Sequence, residues 1–107
     1  MSVPLPSHTR VAIALGDRSY DILIGRGLLD SAESFEGLPA APCAVIVSNT
    51  RVAPLYAERL RSVLGARHAR VLQIDLPDGE THKDWASLDA IFDALLAENC
   101  DRKTLLY

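Results

Sequence analysis

The sequence predicts an α/β protein: a Rossmann-like parallel sheet with helical crossovers, preceded by an N-terminal β-hairpin. Three observations predict this fold. Two runs of alternating apolar residues flank a short polar turn, a pattern typical of a hairpin. The continuous apolar run 44–47 follows, and such a run is typical of a strand buried on both faces. A strand–helix order then repeats before a further strand opens, which favours parallel strands joined by helices.

The hairpin is predicted between residues 10 and 27. Its turn is 16–19, and glycines in 25–27 end the second strand. The alternating apolar residues are Val11, Ile13 and Leu15 in the first strand and Tyr20, Ile22 and Ile24 in the second. Residues 1–9 contain two prolines without periodicity and are expected to form a disordered tail. After the hairpin, 28–35 is predicted as a short helix and 37–42 as a loop.

The first strand–helix unit begins with 44–47. Polar residues 48–50 supply capping oxygens for the next helix, and Pro54 suits that helix's first turn, where its missing N–H is tolerated. Gly65 is a plausible residue just beyond the helix end. The apolar stripe of this helix is Val52, Leu55, Tyr56, Leu60, Val63 and Leu64.

The second unit repeats the order, with a strand over 70–76, a stop at 77–79 and a helix ending near Asn99. Trp85 is expected in the core because it lies on the apolar stripe of this helix. The other stripe residues are Leu88, Ile91, Phe92, Leu95 and Leu96. Residues 104–107 open a third strand, and a domain rarely ends on an incoming core strand. The fold is therefore expected to be truncated.

Composition excludes several function classes. The chain has 107 residues, enough for one domain, and its formal net charge is −3. It has no basic run with interleaved aromatic residues and no apolar stretch or leader of the kind that enters a membrane. We therefore expect no nucleic-acid or membrane partner. Cys43 and Cys100 form no metal-ligand pattern, which indicates reduced thiols in a cytoplasmic protein.

The candidate site lies in two loops that leave the carboxyl ends of parallel strands, where such sheets bind ligands. The first loop is 48–50 and the second is 77–83. In the second, a glycine in Asp78-Gly79 permits a tight turn. A carboxylate at Glu80 suits the hydroxyls of a ribose, and Lys83 adds a positive donor.

The same residues have simpler interpretations. An Asp-Gly pair is common in turns, an acid suits a helix start, and an exposed lysine is usually solvated. Asn49 suits helix capping, which is compatible with ligand contact. His82 is a candidate acid–base group, but no partner for it is visible in the sequence, and a solvated histidine is the favoured interpretation. No catalytic residue and no metal ligand is predicted within the chain.

Four segments resemble 3-dehydroquinate synthases. Residues 15–28 resemble the opening hairpin of that family, and 47–56 its first nucleotide-side strand and helix. Residues 76–83 resemble its D-G-E-x-x-K loop, and 101–105 the strand that leads into its glycine-rich segment. The D-G-E-x-x-K motif is short, but the four segments occur in the family's order. The resemblance covers about residues 10–107, and these residues would be a partial NAD-binding domain.

The resemblance implies a function for the complete enzyme. Such enzymes convert a seven-carbon keto-sugar-acid phosphate (DAHP) to 3-dehydroquinate with loss of phosphate, in the shikimate pathway. They use NAD⁺ catalytically and a divalent metal, zinc or cobalt, as a Lewis acid. They usually form homodimers. The metal ligands and most substrate contacts belong to a helical C-terminal domain that this sequence does not contain.

Carried over by position, Asn49 would lie near the adenosine end of NAD⁺. Glu80 and Lys83 would contact the adenine ribose, within a loop that also includes Asp78, Gly79, Thr81 and His82. Asp84 departs from the family's serine or threonine and is expected to cap the next helix. Without the glycine-rich loop and the metal ligands, this chain alone is expected to be inactive and to bind NAD⁺ weakly.

Another enzyme class and a non-enzymatic module stay open as alternatives. A related sugar-phosphate cyclase would share the D-G-E-x-x-K loop, and an iron-dependent alcohol dehydrogenase has a similar architecture. A non-enzymatic, flavodoxin-like binding module would instead be complete at this length. The module predicts a capped sheet, whereas the enzyme fragment predicts an exposed apolar flank.

Overall fold

The computed structural model describes residues 8–107. In this range the elements follow the order β-β, then β-α-β-α-β. The strands are β1 (His8–Ile13), β2 (Tyr20–Gly25), β3 (Cys43–Asn49), β4 (Arg70–Leu76) and β5 (Leu105–Leu106), and the helices are α1 (Ala53–Leu64) and α2 (Trp85–Ala97). The α/β prediction is confirmed, with the hairpin separate from a parallel sheet.

The parallel sheet has the strand order β4-β3-β5, so β3 is central. Its register with β4 runs from Cys43 opposite Arg70 to Asn49 opposite Leu76. The predicted bounds of β4 are confirmed, while β3 extends beyond the apolar run 44–47 at both ends. Because both strands end together, the segments that follow them leave the sheet side by side.

Strand β5 has only two residues, but hydrogen bonds of Tyr107 and His68 extend its attachment to the rest of the fold. The backbone N–H of Tyr107 donates to the Val45 carbonyl at 2.8 Å, and the Val47 N–H donates to the Tyr107 carbonyl at 2.9 Å. The buried His68 ring lies 2.7 Å (Nδ1) from the Ala41 carbonyl oxygen and 2.9 Å (Nε2) from the Tyr107 hydroxyl. Since a carbonyl only accepts, Nδ1 carries hydrogen and donates to Ala41.

The core is formed mainly by β3 and the face of α1 that covers it. Small side chains at Ala53 and Ala57 and the fully buried Leu64 make up that face, so the helix approaches the sheet closely. The buried apolar residues are Ala41, Cys43, Ala44, Val45, Ile46, Ala53, Ala57 and Leu64. As predicted, α1 ends just before Gly65, although this glycine has right-handed helical dihedrals (φ −60°).

The hairpin places its apolar residues on one face, as the alternation predicts. Val11 lies opposite Ile22 and Ile13 opposite Tyr20 in the antiparallel register. The first strand starts earlier than predicted, because the backbone of β2 pairs as far as His8. Residues 8 and 9 of the predicted tail are therefore part of β1, and 1–7 lie outside the described residues.

The segment after the hairpin differs from the predicted short helix. It consists of two 3-10 turns, Leu28–Asp30 and Ala32–Phe35, interrupted by the extended Ser31. The Arg59 guanidinium pairs with the Asp30 carboxylate through two nitrogens and thereby ties the first turn to α1. This pairing holds the pKa of Asp30 below its usual value.

The predicted core position of Trp85 is wrong, because 78% of this residue is exposed. Helix α2 contains no fully buried residue among those described. It meets the sheet along a narrow line near Ile91 and Leu95, and its remaining apolar side chains face outward. The largest of these are Trp85, Leu88, Phe92 and Leu96. The periodicity therefore predicted the helix correctly, but not how much of its face the chain covers.

Candidate functional site

The two loops predicted from the sequence meet at one edge of the sheet. The backbone N–H of Thr50 donates to the Leu76 carbonyl at 2.9 Å, which joins the end of β3 to the end of β4. Together the loops line one groove of about 560 Å³. Its lining is Val47, Ser48, Asn49, Val52, Leu76, Pro77, Asp78, Gly79, Glu80, His82 and Lys83. The structure thus brings together all the predicted site residues except Thr81.

Asn49 is the last residue of β3 and shapes the first loop. Its Oδ1 accepts from the backbone N–H groups of Arg51 at 3.0 Å and Val52 at 2.7 Å. These bonds form a turn ahead of α1, whose N-terminal flanking residue is Val52 rather than Asn49. Asn49 therefore caps the turn that precedes α1, whereas the helix itself begins without a side-chain cap. Among the described residues, the Nδ2 donors of Asn49 have no protein partner and remain available to a ligand.

The second loop depends on a glycine conformation. Gly79 has φ 111° and ψ 151°, a combination that other residues adopt only with strain. A 3-10 turn over Glu80–His82 follows, closed by the Lys83 N–H donating to the Glu80 carbonyl at 3.0 Å. This turn presents Glu80 and Lys83 on the same exposed side of the loop.

The charges of the site are paired and accessible. The Lys83 ammonium lies 3.0 Å from a Glu80 carboxylate oxygen, with both side chains at least three-quarters exposed. Such an exposed pair contributes little to stability, so both groups can exchange their contact for ligand hydroxyls. Between the two loops, the Arg51 guanidinium lies 3.8 Å from the Asp78 carboxylate.

Arg51 was not predicted as a site residue. Its position two residues after Asn49 is a weak signal, since a basic residue in a loop is usually solvated. Only the adjacency of β3 and β4 places it opposite Asp78. Thr81 lies on the turn but does not line the groove.

The site continues into an apolar recess beside α2. His82 and Lys83 line both the groove and this recess of about 600 Å³, which Trp85 and Leu88 also border. Asp84 caps α2 as predicted: its Oδ1 accepts from the Ser87 backbone N–H at 2.9 Å. That bond lowers the pKa of Asp84 below its usual value.

Within residues 8–107, no cluster of three or more His, Cys, Asp or Glu side chains is arranged to hold a metal ion. In the same range, no helix combines the length and apolar character needed to span a bilayer.

Comparison with known proteins identifies relatives by sequence. No family model matches the chain. It is 50% identical over 92 residues to the 3-dehydroquinate synthase of Nitrosomonas europaea, an alignment covering 84% of this chain and 24% of that protein. It is 52% identical over 92 residues to the 3-dehydroquinate synthase of Pseudomonas putida, covering 86% and 25%. The chain therefore spans about a quarter of the length of these curated relatives.

Solved structures support the fold. A 2-deoxy-scyllo-inosose synthase complexed with carbaglucose-6-phosphate, NAD⁺ and Co²⁺ superposes with a TM-score of 0.77 at 19% identity, covering 92% of this chain and 27% of that one. A second structure of a 2-deoxy-scyllo-inosose synthase gives the same TM-score and identity, covering 28% of its own chain. A hairpin followed by a parallel α/β sheet thus also occurs in about a quarter of each of these larger chains.

Proposed function

We propose that this chain is the N-terminal, cofactor-binding part of a 3-dehydroquinate synthase. The observation that carries the proposal is the identity of about half the aligned residues to curated enzymes of that name. The complete enzyme would convert DAHP to 3-dehydroquinate with loss of phosphate, in the cytoplasm, as a step of the shikimate pathway. It would use NAD⁺ and a divalent metal, zinc or cobalt, and act as a homodimer.

The groove between the two loops fits the adenosine end of NAD⁺. It lies at the carboxyl edge of a parallel sheet, where α/β proteins bind nucleotides. A Glu80 carboxylate accepts hydrogen bonds from both hydroxyls of a ribose, while Lys83 donates to the same oxygens. Their mutual contact of 3.0 Å supports the proposal that both groups bind one diol.

The other predicted residues have supporting roles in this proposal. Asn49 would donate from Nδ2 to the adenosine portion, since its Oδ1 is already occupied by the turn. Asp78, paired with Arg51, would hold the two loops together at the groove. Gly79 lets the loop turn, and His82 would border the nucleotide from the 3-10 turn. Thr81, which does not line the groove, would contribute as part of that turn.

The chemistry of the reaction would depend on groups outside this chain. Bound NAD⁺ supplies a reversible hydride acceptor. The residues described here bind and orient its adenosine end and contribute no acid, base or metal ligand to the reaction. We therefore expect the isolated chain to be inactive and to bind NAD⁺ only weakly, because an adenosine site alone uses a fraction of the cofactor's surface.

A related sugar-phosphate cyclase is the second candidate. The structural match to 2-deoxy-scyllo-inosose synthase favours it, although identity of 19% supports only the fold. A binding module is disfavoured by the exposed apolar side chains of α2, which a self-sufficient domain would cover.

The test is an assay of the complete protein that carries this chain. Purified enzyme is incubated with NAD⁺, a divalent metal and either DAHP or glucose 6-phosphate, and products are identified by mass spectrometry. Formation of 3-dehydroquinate with release of phosphate supports the proposal. A product from glucose 6-phosphate alone would assign the chain to another cyclase. Micromolar binding of NAD⁺ to the isolated chain, measured by calorimetry, would contradict the proposal that this chain holds only the adenosine end of the cofactor.

A further inference from the structure

Two cysteines that are distant in sequence face each other at the amino end of the sheet, away from the candidate site. Their sulfur atoms lie 3.9 Å apart although the residues are separated by 57 positions. Cys43 is the first residue of β3 and is buried, while Cys100 is half-buried in the segment that joins α2 to β5. Both are free thiols in the described structure.

The geometry brings a disulfide within reach. A disulfide needs the two sulfurs at about 2.05 Å, so the gap to close is about 2 Å, a distance that a side-chain rotation and a small backbone shift supply. Cys43 is held in the sheet, opposite Arg70. Cys100 follows Asn99, which turns the chain with φ 57°, and it lies outside any helix or strand. The Cys100 backbone N–H donates to the Leu95 carbonyl at 2.9 Å, so rotation of the half-buried Cys100 side chain supplies most of the movement.

We propose that Cys43 and Cys100 are a reversible redox pair, which exchange with a small-molecule disulfide converts into an intrachain disulfide bond. The bond would fasten the α2–β5 connection to the first residue of the central strand. It would act as a switch on the rigidity of the sheet's amino end, independent of the reaction proposed above.

The exchange proceeds in two balanced steps. The Cys100 thiolate attacks one sulfur of the small disulfide, so that a mixed disulfide forms and one small thiol leaves. The Cys43 thiolate then attacks the Cys100 sulfur, forming the intrachain bond and releasing the second small thiol. The chain loses two electrons and two protons, and the small disulfide gains both.

The different environments of the two thiols explain why Cys100 attacks first and Cys43 second. Burial raises the pKa of the Cys43 thiol, and the adjacent Cys100 thiol raises it further. Because the thiolate is the nucleophile, a buried thiol with a raised pKa is a poor first attacker. It becomes effective once the mixed disulfide is held beside it, since the second step is intramolecular.

The test exposes the folded chain to oxidised glutathione and follows free thiols, thermal unfolding and the peptide map. We expect loss of both thiols, a linked peptide pair containing Cys43 and Cys100, and full reversal by dithiothreitol. The midpoint of thermal unfolding should rise by roughly 10 °C, because the bond closes a long loop in the unfolded chain. Peptide mapping assigns the bond whatever other cysteines a longer polypeptide adds.

Single variants separate the two steps. Cys43→Ser should accumulate a stable mixed disulfide at Cys100, whereas Cys100→Ser should react at least tenfold more slowly than wild type, since only the buried thiol remains. Intermolecular dimers, a persistent mixed disulfide on the wild-type chain, or two unreacted thiols would overturn the proposal. So would a mapped Cys43–Cys100 bond that leaves the thermal midpoint unchanged. If Cys43→Ser fails to fold, the wild-type peptide map alone decides.

Discussion

The Glu80 carboxylate lies 3.0 Å from the Lys83 ammonium, three residues further along the loop, and both side chains are largely exposed. Exposed pairs of this kind stabilise a fold little. Neither group supports the core, which is formed by β3 and α1. This charged pair is therefore separable from the fold, so that variants of Glu80 and Lys83 should change ligand binding and leave unfolding almost unaffected.

Removing the Lys83 charge tests this separation. In the complete enzyme, Lys83→Met should weaken NAD⁺ binding roughly 10- to 100-fold, the effect of losing one or two charge-assisted hydrogen bonds. Calorimetric titration measures the affinity, and urea denaturation should show unchanged stability. Lys103→Met, an exposed position on the α2–β5 connection, is the matched control. Equal loss of affinity in both variants would show that Lys83 does not contact NAD⁺.

The turn at Gly79 should resist substitution. Gly79→Ala should destabilise the chain by about 1–3 kcal/mol, because a β-carbon is strained at φ 111°. Space is not the cause, since the nearest atom to an added β-carbon is Thr81 Oγ1 at 3.8 Å. Gly65→Ala is the control: its φ of −60° suits alanine, and its stability should stay within about 1 kcal/mol of wild type. Equal urea midpoints for the two variants would contradict the argument.

Acid should weaken the cap of α2. The pKa of Asp84 in the folded chain is below its ordinary 3.8, chiefly because the Ser87 backbone N–H donates to the carboxylate. The charged cap therefore stabilises the fold above pH 3.8 and loses this effect as the pH falls through the lower folded value. Asp84→Asn keeps a capping oxygen that does not titrate.

The stability difference between wild type and Asp84→Asn should therefore shrink on acidification, as thermal unfolding from about pH 6 to about pH 2 would measure. Asp89→Asn, at an exposed position on the same helix, controls for the loss of one negative charge. A difference that is constant over this range, or that grows toward low pH, would show that the carboxylate does not act as described.

His68 should be the most sensitive polar position. His68→Ala would leave the Ala41 carbonyl without its donor and open a cavity, at a cost of about 2–4 kcal/mol. Tyr107→Phe removes only the hydroxyl that the ring contacts at 2.9 Å and should cost about 1 kcal/mol. Urea denaturation measures the free energy of unfolding of both variants. An equal or smaller loss in His68→Ala than in Tyr107→Phe would contradict the role of His68 in joining Ala41 to Tyr107.

The sequence predicts the elements of this fold better than their burial. The bounds of β4 follow from a local apolar pattern and match the structure, because strand formation there needs only its neighbour β3. Whether Trp85 is covered depends instead on which other segments pack against α2, and the residues of one helix carry no information about that. The helix is present as predicted, yet its tryptophan is exposed.

In the candidate site, too, some features follow from the order of the elements and others depend on contacts between distant segments. Parallel topology places Asn49 and Glu80 at one edge of the sheet, so their proximity follows from element order. The pairing of Arg51 with Asp78 and the bridge from His68 to Tyr107 depend on contacts between distant segments. Neither has a local sequence signal: His68 stands between Arg67 and Arg70, and no periodic pattern around it indicates burial.

Because β3 is hydrogen-bonded on both sides, its amide hydrogens should be the last in the chain to exchange with deuterated solvent. The Val47 amide donates to the Tyr107 carbonyl next to β5, and β4 pairs along the opposite edge of β3, so complete exchange of β3 requires both flanking strands to separate. The β1–β2 ribbon has a single partner on each strand and should exchange through fraying alone. Deuterium uptake would thus divide the chain into a slowly opening sheet and a hairpin that opens independently of it.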